Sequence, residues 1–164
     1  MNSAPQVEPL LENLAVRLTT LGIEEPAMVG VQTGGVWIAE RLHEALNLDT
    51  PLGALNINFY RDDFTRIGLH PRVTPSDLPF SVDDRNIILV DDVLHTGRTI
   101  RAALNEIFDY GRPAKVVLAV LIDRDGRELP IRADVAAVRM SLSDNQHIKL
   151  TGPDPLHLVI QEME

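Results

Sequence analysis

Apolar and polar positions alternate along this chain in two periods. Residues 7–21 place Val7, Leu10, Leu11, Leu14, Leu18 and Leu21 at helical spacing, one stripe on an amphipathic helix. Pro26 precedes "AMVGV", a short apolar run that reads as a strand. "TGG" at 33–35 is a turn, and "VWIAERLHEAL" predicts the next helix, with Val36, Ile38, Ala39, Leu42 and Leu46 inward and Trp37 partly buried. After Pro51, "LGALNINF" predicts a strand. "NIILVDD" and "AKVVLAVLIDR" are continuous apolar runs, the mark of strands covered on both faces. Between them "TIRAALNEIFDYG" predicts a helix with Ile100, Ala103, Leu104, Ile107 and Phe108 on one side and Gly111 closing it. "VAAVRM", "HIKL" and "LHLVIQ" are shorter late strands.

Strands alternating with helices predict an α/β fold with a mostly parallel central sheet. From Tyr60 to Asp84 neither period survives; the segment is rich in Pro, Asp and Arg and reads as a mobile loop, lid or β-ribbon arm. Ligands of parallel sheets bind beyond the carboxyl ends of the strands. Thr33–Gly35, Asp91–Asp92 and Asp123–Arg124 all fall just past such ends, a first hint that they share a site.

Bulk properties narrow the class. At 164 residues one domain spanning 1–164 is expected. No apolar run approaches the roughly 18 residues needed to span a bilayer, and "MNSAPQVEPL" has no basic segment followed by an apolar one. The absence of cysteine excludes disulfides and thiolate metal sites and fits the cytoplasm. A net charge of −9 repels nucleic acid at long range, so an RNA-binding role needs a local basic patch. Arg112, Lys115, Arg124, Arg127, Arg132 and Arg139 are the cations available for one, equally suited to pairing with the many carboxylates. Aromatic residues, at 4%, leave few base-stacking platforms. His43 reads as surface polar, His70 lies in the 60–84 segment, and His147 and His157 lack metal-ligand spacing. Asp83–Asp84 reads as a solvated turn.

The chemistry concentrates in "IILVDDVLHTGRTI", residues 87–100. A strand–turn–helix unit ends on a helix N-terminus, whose free N–H groups and dipole attract an anion. Gly97 permits close approach of the backbone, and Thr96 and Thr99 add hydroxyls, so the turn reads as a monophosphate cradle; the Walker pattern is absent. Asp91 and Asp92 can accept hydrogen bonds from vicinal sugar hydroxyls and help hold a hydrated Mg²⁺. A phosphorylated ribose suits that separation. Paired carboxylates after a strand also open receiver-type acidic pockets and metal-dependent phosphatases.

The string Ile87–Thr99, "IILVDDVLHTGRT", resembles the phosphoribosyl-pyrophosphate (PRPP) motif of type I phosphoribosyltransferases. "YRDDF" from Tyr60, "GRPAKVVLAVLIDR" from Gly111 and "RELPIRAD" from Arg127 are similar to the PyrR subfamily. The resemblance covers roughly residues 28–150 and implies that fold, with a long mobile loop and a small hood. It implies uracil phosphoribosyltransferase activity, uracil and PRPP giving UMP and pyrophosphate, with regulation of pyrimidine genes. Asp91 and Asp92 would bind the ribose 2′ and 3′ hydroxyls and, through water and substrate, Mg²⁺; Thr96, Gly97, Arg98 and Thr99 the 5′-phosphate; Thr33, Gly34 and Gly35 the pyrophosphate. Tyr60, Arg61 and Asp62 would open the mobile loop, with Arg61 and Asp62 beside the reacting groups and Asp62 or Asp92 as a proton acceptor. Arg124 and Ile148 would border the base or nucleotide. Mg²⁺ is implied and no tightly bound organic cofactor. Implied partners are uracil, PRPP, UMP or UTP, leader RNA, and further copies of the chain in a homodimer or homotetramer.

Three departures stand out. Many members read T-R-G in the pyrophosphate loop, where this chain has Thr33-Gly34-Gly35 and so lacks a guanidinium. His95 stands where Tyr is frequent, and "DRDGRELPIR" replaces the "DRGHRELPIR" of many RNA-binding members. A nucleotide-sensing, RNA- or partner-binding regulator with little catalysis is therefore the alternative, and a purine transferase the third reading.

Overall fold

A computed structural model describes residues 3–57 and 75–164. In chain order the elements are α1 (Val7–Leu21), β1 (Ala27–Val31), α2 (Gly34–Ala45), β2 (Gly53–Leu55), β3 (Asn86–Leu94), α3 (Arg98–Tyr110), β4 (Lys115–Arg124), β5 (Val135–Met140), β6 (Gln146–Thr151) and β7 (His157–Glu162). Strands β1–β5 form one parallel sheet in the order β2-β1-β3-β4-β5, and β6 and β7 pair antiparallel as a separate ribbon.

The sheet is buried on both faces, as its unbroken apolar strands require. Met28, Ile88, Val90, Ala119 and Leu121 face α1 and α2. Val29, Ile87, Leu89, Leu118 and Val120 face α3. Leu11, Leu14 and Leu18 carry the buried stripe of α1, and each such side chain contributes roughly 1.5–3 kcal/mol by leaving water. The β6–β7 ribbon turns Ile148, Leu150 and Leu158 into the same core as α1 and α2, which fixes it beside the sheet as a small hood.

Two apolar assignments fail at helix ends. Leu21 is exposed, because it is the last residue of α1 and the chain leaves through Gly22 in the left-handed region, φ 62°. Phe108 is exposed as well: one residue advances about 100° round a helix, which carries it off the face holding Ile100, Ala103 and Ile107. Of the strand expected over 52–59, the described residues 52–57 are regular over Gly53–Leu55. Its edge is met by the end of the 60–84 segment. Ala54 and Asp77 exchange both backbone hydrogen bonds at 2.8 Å, and Asn56 N–H donates to Ser76 Oγ at 2.8 Å. Leu78 and Phe80 pack on the α3 side of the sheet, and Val82 is buried there. Tyr60, Arg61, Asp62 and His70 lie outside the described residues.

Candidate active site

In the order β2-β1-β3-β4-β5 the crossover direction reverses between β1 and β3. Helix α2 covers one face and α3 the other, so a crevice opens where the two chains leave the sheet in opposite directions. A cavity of about 310 Å³ occupies that place. Its wall holds Thr33 and Gly34 after β1, Asp91 and Asp92 of β3, and Thr99 of α3. Arg124 at the end of β4 and Ile148 of the hood complete it.

The carboxylates are not at the strand's end. Strand β3 continues to Leu94, with Asp91 opposite Val120 and Val93 opposite Ile122 of β4. The pleat alternates the two Cβ directions, yet both carboxylates reach the cavity wall, where they interact. Asp91 is buried, 5% exposed, and Asp92 is half-exposed. Asp91 Oδ1 accepts the Asp92 N–H at 2.8 Å, and Asp92 Oδ1 accepts the Val93 N–H at 2.8 Å. Burial, and secondly the charge of Asp92, hold the Asp91 carboxyl well above the usual aspartate range.

The turn after β3 enters α3 through Gly97, whose φ of 96° disfavours any residue with a Cβ. Thr96 Oγ1 accepts the Arg98 N–H at 3.2 Å. The Arg98 side chain points away, to Glu128 Oε1 at 3.2 Å, and is largely exposed. What position 98 offers an anion in this geometry is its backbone at the helix N-terminus. Gly35, too, stands behind the cavity rather than in its lining: a Cβ there would lie 2.7 Å from Val90 O.

Residues 124–129 clamp the turn between β3 and α3 from outside. Glu128 and Leu129 N–H donate to Thr96 O at 2.9 and 3.2 Å. Arg127 donates to His95 O and pairs with Asp123 Oδ1 at 2.7 Å, while Arg139 Nε stands 3.6 Å from Asp123 Oδ2. Arg124 is buried, with Nη1 donating to Gln146 O at 3.0 Å and Nε unpartnered. Arg124 and Arg127 are thus held within this corner, while Arg139 stays largely exposed beside Asp123.

Sequence reasoning missed His95, His147 and Lys149, which also line the cavity. Burial, then the charge of Arg124, lowers the His95 imidazole from its usual value, with Glu128 opposing. No spacing rule could have linked His147 and Lys149 to β3, since the hood brings them there from over fifty residues away in sequence. His43 is half-buried, its Nε2 2.8 Å from Thr50 O, rather than a surface group. Asp83 and Asp84 are exposed, in a turn whose Asp83 Oδ1 accepts the Arg112 N–H. Among the described residues no group of three or more His, Asp or Glu is placed to hold a metal ion, and no helix is long and apolar enough to cross a membrane.

The family model described as "Phosphoribosyl transferase domain" matches residues 2–153. A "Bifunctional protein PyrR" from Nitrosococcus oceani is 60% identical over 164 residues, covering 96% of this chain and 93% of that one. Another from Pseudomonas syringae pv. tomato is 51% identical over 162 residues, covering 99% and 95%. Among solved structures, the hypoxanthine phosphoribosyltransferase of Trypanosoma cruzi covers 100% of this chain and 98% of its own, with a TM-score of 0.66 at 18% identity. The purine phosphoribosyltransferase of Pyrococcus horikoshii aligns over 82% of each chain, TM-score 0.60, at 23% identity. At those identities the solved structures bear on the fold alone.

Proposed function

Since the chain belongs to the phosphoribosyl transferase family, and within it to the bifunctional PyrR group, we propose that this cavity transfers the 5-phosphoribosyl group of PRPP to uracil. The observation that carries the reading is the convergence of Thr33–Gly34, Asp91–Asp92, Thr99 and Arg124 on one crevice at the sheet's switch point. N1 of uracil attacks C1 of the ribose, the bond from C1 to the pyrophosphate oxygen breaks, the N1 proton passes to the acceptor carboxylate (Asp92 or Asp62), and UMP and pyrophosphate are the products.

The residues mainly position and neutralise charge. The α3 N-terminus and Thr99 hold the 5′-phosphate. Asp92 accepts from the ribose hydroxyls, and Asp91 meets them through the oxygen that the Asp92 N–H leaves unengaged. The Arg124 guanidinium donates to a base carbonyl across Ile148. The first turn of α2 receives the pyrophosphate. For Arg61 and Asp62, which lie outside the described residues, the reading rests on the family resemblance alone.

The donor set fits Mg²⁺ held largely by substrate oxygens and water, because two adjacent carboxylates without a third ligand make no cage of their own. When bound, the ion supplies charge neutralisation on the leaving pyrophosphate.

The relatives' name, bifunctional, supports a second role in this chain; the reading takes that role as nucleotide-responsive regulation of pyrimidine genes through leader RNA, by a cytoplasmic homo-oligomer.

The test is one assay with Mg²⁺, PRPP and labelled uracil, with hypoxanthine and guanine as controls. UMP formation that is abolished by Asp92→Asn is the expected result. Product from a purine alone refutes the pyrimidine assignment. Tight UMP binding without turnover replaces the enzyme by the regulator, and a leader-RNA shift assay at fixed salt then decides its partner.

A further inference from the structure

The first turn of α2 lies so close to Asp92 of β3 that a side chain at 34 can enter only if that carboxylate moves. An ideal Cβ on Gly34 would lie 2.3 Å from Asp92 Oδ2, 2.9 Å from its Cγ and 3.4 Å from its Cβ. The obstacle is the tip of one carboxylate. Gly35 differs, because its Cβ would meet backbone, Val90 O at 2.7 Å and Asp91 Cα at 3.1 Å, which cannot yield without lifting α2 from the sheet.

Backbone conformation does not demand glycine at 34. The glycines at positive φ among the described residues are Gly22, Gly97 and Gly126. Helix propensity argues against it, since Gly is up to about 1 kcal/mol worse than Ala within a helix. What glycine provides at 34 is the space that Asp92 fills.

Asp92 also has an electrostatic reason to be there. Helix α2 has no acidic residue in its first turn, and Thr33 makes no side-chain cap. A carboxylate over that turn complements the partial positive charge of the helix N-terminus. Its other oxygen is tied to the Val93 N–H.

We infer that Gly34 is a positioning residue acting through Asp92: residues 34 and 92 share one volume, and the missing side chain lets the second carboxylate rest over the start of α2. Any side chain at 34 displaces that carboxylate. The inference builds on the phosphoribosyl reading of the cavity, in which Asp92 meets the ribose and α2 the pyrophosphate.

The experiment is a double-mutant cycle of Gly34→Ala and Asp92→Ala, with Gly35→Ala as control. Turnover is measured for wild type and Gly34→Ala, PRPP and UMP binding by calorimetry for all variants, and Tm throughout. Gly34→Ala is expected to lower kcat/KM for PRPP by roughly tenfold to a hundredfold, as an ångström-scale misplacement does, with the uracil KM unchanged. In the Asp92→Ala background the same change should alter PRPP and UMP affinity less than about twofold, because a Cβ–Cβ contact of 3.4 Å is tolerated. Gly35→Ala should lower Tm equally in both backgrounds. Equal losses for Gly34→Ala with and without Asp92 overturn the inference, and so does an unchanged PRPP KM. If the cavity takes neither PRPP nor UMP, the phosphoribosyl reading fails instead, and the coupling is read from Tm alone. Gly34→Ala then lowers Tm in wild type and leaves or raises it in Asp92→Ala, whereas additive shifts refute the shared volume.

Discussion

Asp91 titrates against the grain of an ordinary aspartate, and the consequence is measurable without any ligand. In the folded chain burial, reinforced by the charge of Asp92, keeps its proton on well above the usual range, although the Asp92 N–H on Oδ1 pulls the other way. In the unfolded chain the same group ionises near pH ~3.9. Below that pH both states hold the proton and Asp91 has no effect on stability. Above it the folded state binds more protons than the unfolded one, so stability falls as pH rises, by about 1.4 kcal/mol per pH unit. The loss stops growing once pH passes the folded pKa. Asp91→Asn keeps the shape and removes the titration. Its stability minus that of wild type, from urea unfolding between roughly pH 3.5 and 8, should be flat in acid, climb with that slope, and level off at the folded pKa of Asp91. Adding Asp92→Asn to both proteins removes the second cause and should move the plateau to lower pH. A difference independent of pH refutes the reasoning that a dry carboxyl is being held protonated.

Two further outcomes follow from the corner around β4. His95 should titrate below an ordinary histidine by proton NMR in the free protein, and UMP should raise its value, because a phosphate anion held at the neighbouring α3 N-terminus favours the charged imidazole; no change on binding would contradict that placement. Arg127→Ala should lower stability by about 2 kcal/mol in urea, since it removes a charge-assisted bond to the nearly buried Asp123 and the donor to His95 O. An effect within about 0.5 kcal/mol would place Arg127 among the exposed pairs that contribute little.

Much of the fold is legible in the chain because its strands are dry on both sides. Continuous runs such as Ile87–Val90 and Val116–Ile122 leave no other reading, and the carboxylates and threonines that follow stand out against them. Edges are less legible. The outer edge of β2 is met by the Asp77 backbone and the Ser76 hydroxyl, partners over twenty residues away from the strand's start and beyond the reach of any local period. The half of the site near β3 could be read from consecutive residues. Its far wall could not, because Ile148 apart, the hood residues reach the cavity through tertiary packing that no local period encodes. Arg98 shows the same limit. Its type suits a phosphate, yet Glu128, thirty residues on, takes its side chain.

The strand that runs on past its two aspartates has one more implication. Written in one-letter code, positions 91 and 92 are interchangeable. In the sheet they are different acids, one dry and one wet, and the difference is made by ladder register rather than by either side chain. A one-residue slip of β3 against β4 would exchange their characters while leaving composition and motif intact. Whoever grafts this site onto another scaffold must therefore carry the strand to Leu94 and its pairing with Asp123, because the motif alone does not say which carboxylate is to face the water.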